Sequence, residues 1–335
     1  MVKAVGFLSC LSYFWLVVEI YNVRGNALIG SALLNVLTPE MFGAVGDGIT
    51  NDKSAIQNAV LHGGFVLFSA GKKYITNDVI RLVGNTIIDL NGSELSCTNK
   101  HLFFNFLGND VFTQYNGNGN IIIRNGILSG GAISFGHAEN VLLENIIFKN
   151  SHNDHFIEIC ACKNYNIKNC SFIGMEYLTT SVMEYINIDP CYRGPFPWLD
   201  NASSVFYDGT VNNGIYIDNC RFSIGDGDYA YGYNAIGVHA SDGAKHQNIR
   251  ITNNEVLGFT GCGLRINNMN SVLIGNNTIK LTANGSNGIR IGDVVQSTNV
   301  LIKGNAIISS GTAVTKANNS TVFQSADNDI NPTFS

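Results

Sequence analysis

Charge is scarce in this chain. Its 335 residues carry 20 Lys+Arg and 25 Asp+Glu, 13% of the total, for a net charge of -5. A nucleic-acid binder needs clustered Lys and Arg to displace the counterions condensed on phosphates, and no such run exists. There are only 5 Pro and 2 Trp, and the 8 Cys (Cys10, Cys97, Cys160, Cys162, Cys170, Cys191, Cys220 and Cys262) show no paired Cys-x-x-Cys spacing. That spacing argues against a zinc site and leaves the cysteines as buried thiols. Disorder is excluded from the other side, because 45% hydrophobic residues at low net charge can bury enough surface to offset the entropy of ordering. A helix-periodic segment long enough to return the chain between strands is also missing. What is abundant is asparagine, together with 36 Gly, and both residue types favour tight turns.

The first 37 residues read differently from the rest. An apolar stretch from Ala4 to Val18 follows Lys3, and apolar texture resumes from Ala27 to Leu37. A secretory signal, a structural leader and a membrane anchor all fit this pattern. The expected division is 1–37 as leader or packing segment, 38–323 as one elongated domain and 324–335 as a C-terminal tail.

From about residue 120 one phrase recurs: alternating apolar positions, then Asn, then a large apolar residue. It appears at Ile121–Asn125, Val141–Asn145, Asn166–Asn169, Ile215–Asn219, Ile249–Asn253 and Val272–Asn276, and at Val300–Gly304 with Gly in place of Asn. The base period is about twenty residues, with two long excursions. A second strand phrase runs between the copies, at Phe156–Ile159, Tyr185–Ile188, Ala235–Val238, Gly263–Ile266 and Gly288–Ile291. Period-two alternation in each places aliphatic side chains on one face and polar ones on the other. Short strands at a fixed period predict an all-β solenoid, best fitted by a right-handed, single-stranded parallel β-helix. Asn suits a left-handed bend after the first strand, and stacked amides can bond from coil to coil. A leucine-rich horseshoe would need its leucine-and-helix phrase, which is absent. Residues 51–60, with a polar Asn51-Asp52-Lys53-Ser54 start, predict a short helix that caps the first coil.

Met41-Phe42-Gly43-Ala44-Val45-Gly46-Asp47-Gly48-Ile49-Thr50-Asn51-Asp52, followed by Ala55-Ile56-Gln57, resembles the N-terminal signature of the pectate-lyase-superfamily β-helix proteins, which include family 28-like glycosidases and phage tailspikes. Gly63–Phe68, Gly71–Tyr74 and Leu90–Gly92 continue the likeness, and Thr38-Pro39-Glu40 is similar to phage tail proteins. The resemblance spans roughly residues 38–320. It implies the fold, and a polysaccharide as substrate or ligand. Members include hydrolases, lyases, epimerases and binders, so the reaction stays open. The family 28 pattern of Asn-Thr-Asp, Asp-Asp, Gly-His-Gly and Arg-Ile-Lys is absent; Asp189-Pro190 resembles the Asp-Pro of alginate epimerases, with Cys191 in place of their His.

Aligning the second strands predicts two outward columns. One holds Glu158, Asn187, Gly237, Arg265 and Arg290; the next holds Cys160, Asp189, His239 and Asn267. Asp154, His155 and Glu184 sit at the strand entries. This gathers Glu158, Asp189, His239, His155 and Glu184 as candidate catalytic residues. Solvated outward side chains would give the same pattern. Glu158 and Asp189, one coil and two residues apart, lie about 8 Å apart at Cα, which suits the carboxyl pair of an inverting glycosidase. Asp189 beside His239 suits proton transfer near neutral pH. A uronate clamped by Arg265 or Arg290 can lose its C5 proton to His155, His239 or Tyr207, which is lyase chemistry, or epimerase chemistry when a proton returns from the opposite face. Asn187, Trp198, Tyr207 and Asp208 complete the expected substrate contacts. The excursion holding Trp198 is either an aromatic wall for sugar rings or a lid packed inward. No cofactor is predicted; Glu158, Asp189 and Asp208 offer hard oxygen ligands for calcium without a dense acidic ladder. The expected setting is extracellular or on a virion, with a homotrimer in the second case. A non-catalytic glycan-binding module and a structural spacer are the competing functions.

Overall fold

The computed structural model describes residues 2–10, 13–20, 32–106, 110–152, 155–176, 183–192, 207–238, 244–317 and 319–331, with side chains from Val36 onward. The recurring phrase forms parallel, in-register strands. Ile123 lies opposite Leu143, then Ile167, Ile217, Ile251, Ile274 and Ile302 on successive coils. All seven side chains are fully buried. Each such side chain contributes roughly 1.5–3 kcal/mol through removal from water. Aromatic rings stack on the same principle: Phe148, Phe172 and Phe222 lie 4.7 Å apart between centroids and within 3° of parallel.

The bends obey the chemistry of asparagine. Asn125, Asn145, Asn169, Asn219, Asn253 and Asn276 all have φ between 52° and 61°, and Gly304 has φ 63°. This is the left-handed region that Asn and Gly tolerate best. Their amides stack, with Asn145 donating to Asn125 at 3.2 Å and Asn219 to Asn169 at 2.8 Å. A second, interior ladder was not foreseen. Asn254, Asn277 and Asn305 occupy the buried position just past the bend, where Cys170 and Cys220 stand on earlier coils. Each Oδ1 accepts the backbone N–H of the residue one coil before it, at 2.9 Å.

The second sheet supplies the other wall of the coil. Among the described residues it runs Ile80–Arg81, His101–Phe104, Ala132–Gly136, Ile157–Cys160, Glu184–Asp189, Asn234–Gly237, Cys262–Ile266, Asn287–Ile291 and Val314–Lys316, every neighbour parallel. Ile133, Ile157, Ile186, Ile236, Leu264 and Ile289 form its inward column.

The helix Lys53–Leu61 closes the first coil with Ile56, Ala59 and Val60 fully buried. Asp52 precedes it but makes no side-chain cap bond to it. Its carboxylate instead accepts the N–H groups of Val45 and Gly46 at 2.7 and 3.1 Å, tying the preceding loop to the helix start. Strands Val2–Cys10, Tyr13–Ile20 and Ala32–Leu37 form an antiparallel meander whose last strand pairs in parallel with Phe65 and Val66. The coil continues past residue 323, because Val322–Gln324 and Asp329–Ile330 still pair with the coil before them. The seven described cysteines are buried and form no disulfide.

His246 lies at 0% exposure inside the coil. The backbone N–H of Asn212 donates to its Nδ1 at 3.0 Å, so that nitrogen carries no proton. Burial pushes the imidazole down to about 3 from its ordinary 6.5. The folded value lies below the unfolded one, so the contribution to stability is complete above pH 6.5 and declines as pH falls toward 3. The expected slope is about 1.4 kcal/mol per pH unit. Urea unfolding across that window is expected to show it, and His246→Gln to lose about one proton's worth of acid sensitivity. An unchanged slope in that variant would assign the acid response to carboxylates alone.

Candidate functional site

The outward register of the second sheet runs as expected. Ser134 opposes Glu158, Glu158 opposes Asn187, Asn187 opposes Gly237, and Arg265 opposes Arg290, which opposes Thr315. In the next column Cys160 opposes Asp189. The alternate positions, Ile157, Ile159, Ile186 and Ile188, belong to the core, so Glu158, Asn187 and Asp189 point away from it. His239, Trp198 and Asp154 lie outside the described residues.

These outward groups are not solvated. Glu158 is 2% exposed, Glu184 and Asp189 0%, Asn187 1% and His155 4%. A buried charge is costly unless hydrogen-bonded or paired, and each of these groups is engaged. Nδ1 of His155 donates to the carbonyl of Glu184 on the next coil. A carbonyl only accepts, so that ring nitrogen holds a proton. Nε2 then faces Oε1 of Glu158 at 3.7 Å. Ser134 Oγ lies 3.4 Å from the other oxygen of Glu158. The result is a buried carboxyl set against an imidazole.

Asp189 is held by different means. Asn187 Nδ2 donates to its Oδ2 at 3.0 Å, and Asn212 Nδ2 donates to its backbone carbonyl at 2.9 Å. Glu184 lies further along the sheet. Its Oε1 accepts from Asn234 Nδ2 at 2.9 Å and lies 3.7 Å from Nη1 of Arg265.

The C-terminal end of the face carries two arginines and is more open. Nε of Arg265 donates to Asp293 at 3.2 Å, and Arg290 Nη1 lies 3.6 Å from the same carboxylate. Asn267 Nδ2 fixes Asp293 from below at 2.6 Å. The Arg290 side chain remains 30% exposed. Sequence reasoning passes over Asp293, Asn234 and Ser134, because none lies in a recurring phrase at an outward charged position. The i,i+3 spacing of Arg290 and Asp293 was the available signal.

The remaining expected contacts lie at the opposite end. Tyr207 packs on an outer apolar cluster of Val79, Phe104, Phe106, Cys160, Ala161 and Cys191. Phe104 and Phe106 stack at 4.6 Å within it. Burial raises the pKa of Asp208, but the N–H groups of Gln114 and Thr210, both donating at 2.8 Å, outweigh it and hold the carboxyl below its ordinary value. Among the described residues no three acidic, His or Cys side chains are grouped to hold a metal ion.

Coil register, bend chemistry and the outer polar column define a right-handed, single-stranded parallel β-helix protein. Its relatives carry the same architecture. The surface adhesin PfbA of Streptococcus pneumoniae superposes with a TM-score of 0.72 at 23% identity, covering 88% of this chain and 78% of that one. A tailspike of Escherichia coli bacteriophage HK620 superposes at 0.60 and 14% identity, covering 92% and 68%. In sequence the chain is 29% identical over 286 residues to the plasmin and fibronectin-binding protein A of S. pneumoniae, 72% of this chain and 38% of that protein. A 45-residue stretch is 58% identical to a capsule K30/K69-specific depolymerase of Klebsiella phage K64-1, 13% of this chain and 6% of that protein. It is also 27% identical over 230 residues to the pre-neck appendage protein of Bacillus phage B103, 64% of this chain and 25% of that protein. The chain thus spans well under half the length of these curated relatives. No protein-family profile matches it. No helix among the described residues is long and apolar enough to cross a membrane.

Proposed function

We propose that the chain acts on a polysaccharide along the outer face of the second sheet, outside the cell or on a virion tail, and that it cleaves an acidic or capsular glycan there. The observation that carries this reading is the His155–Glu158 pair, a buried carboxyl beside an imidazole, with Asp189 on the adjacent coil and Arg265 and Arg290 on the same face. In a hydrolase, Glu158 protonates the glycosidic oxygen while Asp189, whose Cα lies about 8 Å away, activates water. In a lyase, Arg265 or Arg290 neutralises a uronate carboxylate and His239 takes the C5 proton. The epimerase differs only in returning a proton from the other face. The capsule-specific phage depolymerase among the relatives is consistent with such an activity.

A second reading, a glycan-binding module without catalysis, draws support from the near-complete burial of Glu158, Glu184 and Asp189 and from the adhesin among the relatives. Incubating the chain with purified acidic and capsular polysaccharides separates the readings. New reducing ends mean hydrolysis, unsaturated uronate absorbance means elimination, and retention of a polysaccharide on the immobilised chain with neither signal means binding alone. Arg290→Ala is expected to raise KM or Kd for an acidic substrate about tenfold or more, the worth of one charge-assisted hydrogen bond. Equal affinity of that variant would remove Arg290 from the site.

A further inference from the structure

The solvent face of the first sheet is not polar. Its outward position before the bend holds Ile87, Ile122 and Leu142 on three consecutive coils, then Asn166, Tyr216 and Arg250, and then Leu273, Leu301 and Phe323. Beside it runs a second outward row, Asp89, Arg124, Glu144, Lys168 and Asp218, whose sign alternates at every coil. Arg124 is paired to Asp89 at 2.8 Å, whereas Glu144 and Lys168 make no ion pair among the described residues. On the other side Asn85, Asn120, Asn140 and Asn164 form an amide rail, each donating to the one before at 3.0 to 3.2 Å. Rail and aliphatic floor enclose a shallow cavity of about 500 Å³. Half-buried aliphatic side chains repeated in register along the outer face of a solenoid mark a surface suited to docking.

We propose that a second copy of this chain docks here, antiparallel, about a two-fold axis that passes between the strands Ile121–Ser129 and Glu139–Ser151. A two-fold lying in the interface and across the coils reverses their order and sets every row against itself. Ile122 then meets Leu142 of the second copy, Arg124 meets Glu144, and Asp89 meets Lys168. Asn120 meets Asn140, and Asn85 meets Asn164. The four central charges find their opposites, Asp218 faces Leu67, and the central apolar side chains find each other. A two-fold along the coil axis through the apolar row sets the charged row against the amide rail, and a partner of single sign, such as a nucleic acid or an acidic glycan, meets a like charge on every second coil. Six coils at about 4.8 Å and a width of about 10–15 Å bury on the order of 300–400 Å² per copy. That is below the roughly 800 Å² per partner of a standard interface, so the dimer is a weak one, in the micromolar range or above.

Sedimentation of the full chain from low to several hundred micromolar tests this. The expected result is a concentration-dependent monomer–dimer equilibrium, weakened at least tenfold by Leu142→Glu with the thermal midpoint unchanged; Ile122→Glu serves should that variant fold poorly. Orientation is read by mixing Ile122→Cys and Leu142→Cys chains with oxidised glutathione, where the mixture is expected to form a covalent dimer and neither chain alone to do so. A wild-type monomer throughout the range, an oligomer indifferent to both glutamates, or equal cross-linking by one cysteine variant alone would overturn the proposal.

Discussion

Glu158→Gln is expected to lower polysaccharide cleavage by about 10²–10³-fold, the usual contribution of a positioned proton donor, while polysaccharide binding and the thermal midpoint stay near those of the parent. The substitution keeps the shape of the side chain and leaves an amide able to bond Ser134 Oγ. It removes only the ability of the group beside His155 to donate a proton as an acid. A purely structural carboxyl behaves differently. Replacing it would lower the thermal midpoint and would leave the rate per folded molecule unchanged. Initial rates on a cleaved polysaccharide, normalised to folded protein by circular dichroism, decide between the two. Parental turnover in Glu158→Gln would move the chemistry elsewhere on the face.

Asn212→Ala is expected to cost roughly 3–5 kcal/mol, more than any surface change. One amide satisfies three buried backbone groups: its Oδ1 accepts Cys162 N–H at 2.7 Å, and its Nδ2 donates to the carbonyls of Ile159 and Asp189 at 3.0 and 2.9 Å. Removing it strands all three where water does not reach, at about 1–3 kcal/mol each before relaxation. The side chain also ties two coils to the residues that follow the long excursion, so cleavage is expected to fall along with stability. Urea unfolding measures the first effect. A loss below about 1 kcal/mol would mean that ordered water replaces the amide.

Much of this molecule was legible in its residues because a solenoid repeats its constraints. Val141–Asn145 and Ile249–Asn253 announce the same inward pair and the same left-handed bend, so the register of one coil predicts that of the next. Glu158 opposite Asn187 and Cys160 opposite Asp189 follow from that register alone. What a repeat does not encode is which outward groups become buried. The alternation of Glu184-Tyr185-Ile186-Asn187-Ile188-Asp189 reads as one apolar and one solvated face, yet all six residues are buried. Asp293 was invisible for the same reason: it stands outside every repeated phrase and is set by one turn after Ile291. The interior ladder of Asn254, Asn277 and Asn305 was hidden because these asparagines directly follow the bend position, and only packing shows which of the two neighbours turns inward.

The most direct test of the account is a crystal structure of the Glu158→Gln chain soaked with an oligosaccharide of a polysaccharide that the parent cuts. The account predicts sugar rings along the outer face of the second sheet, with a glycosidic oxygen within hydrogen-bond reach of residue 158 and an acidic group on Arg290. A sugar bound on another face of the coil, with residues 155, 158 and 189 still enclosed and untouched, would contradict it.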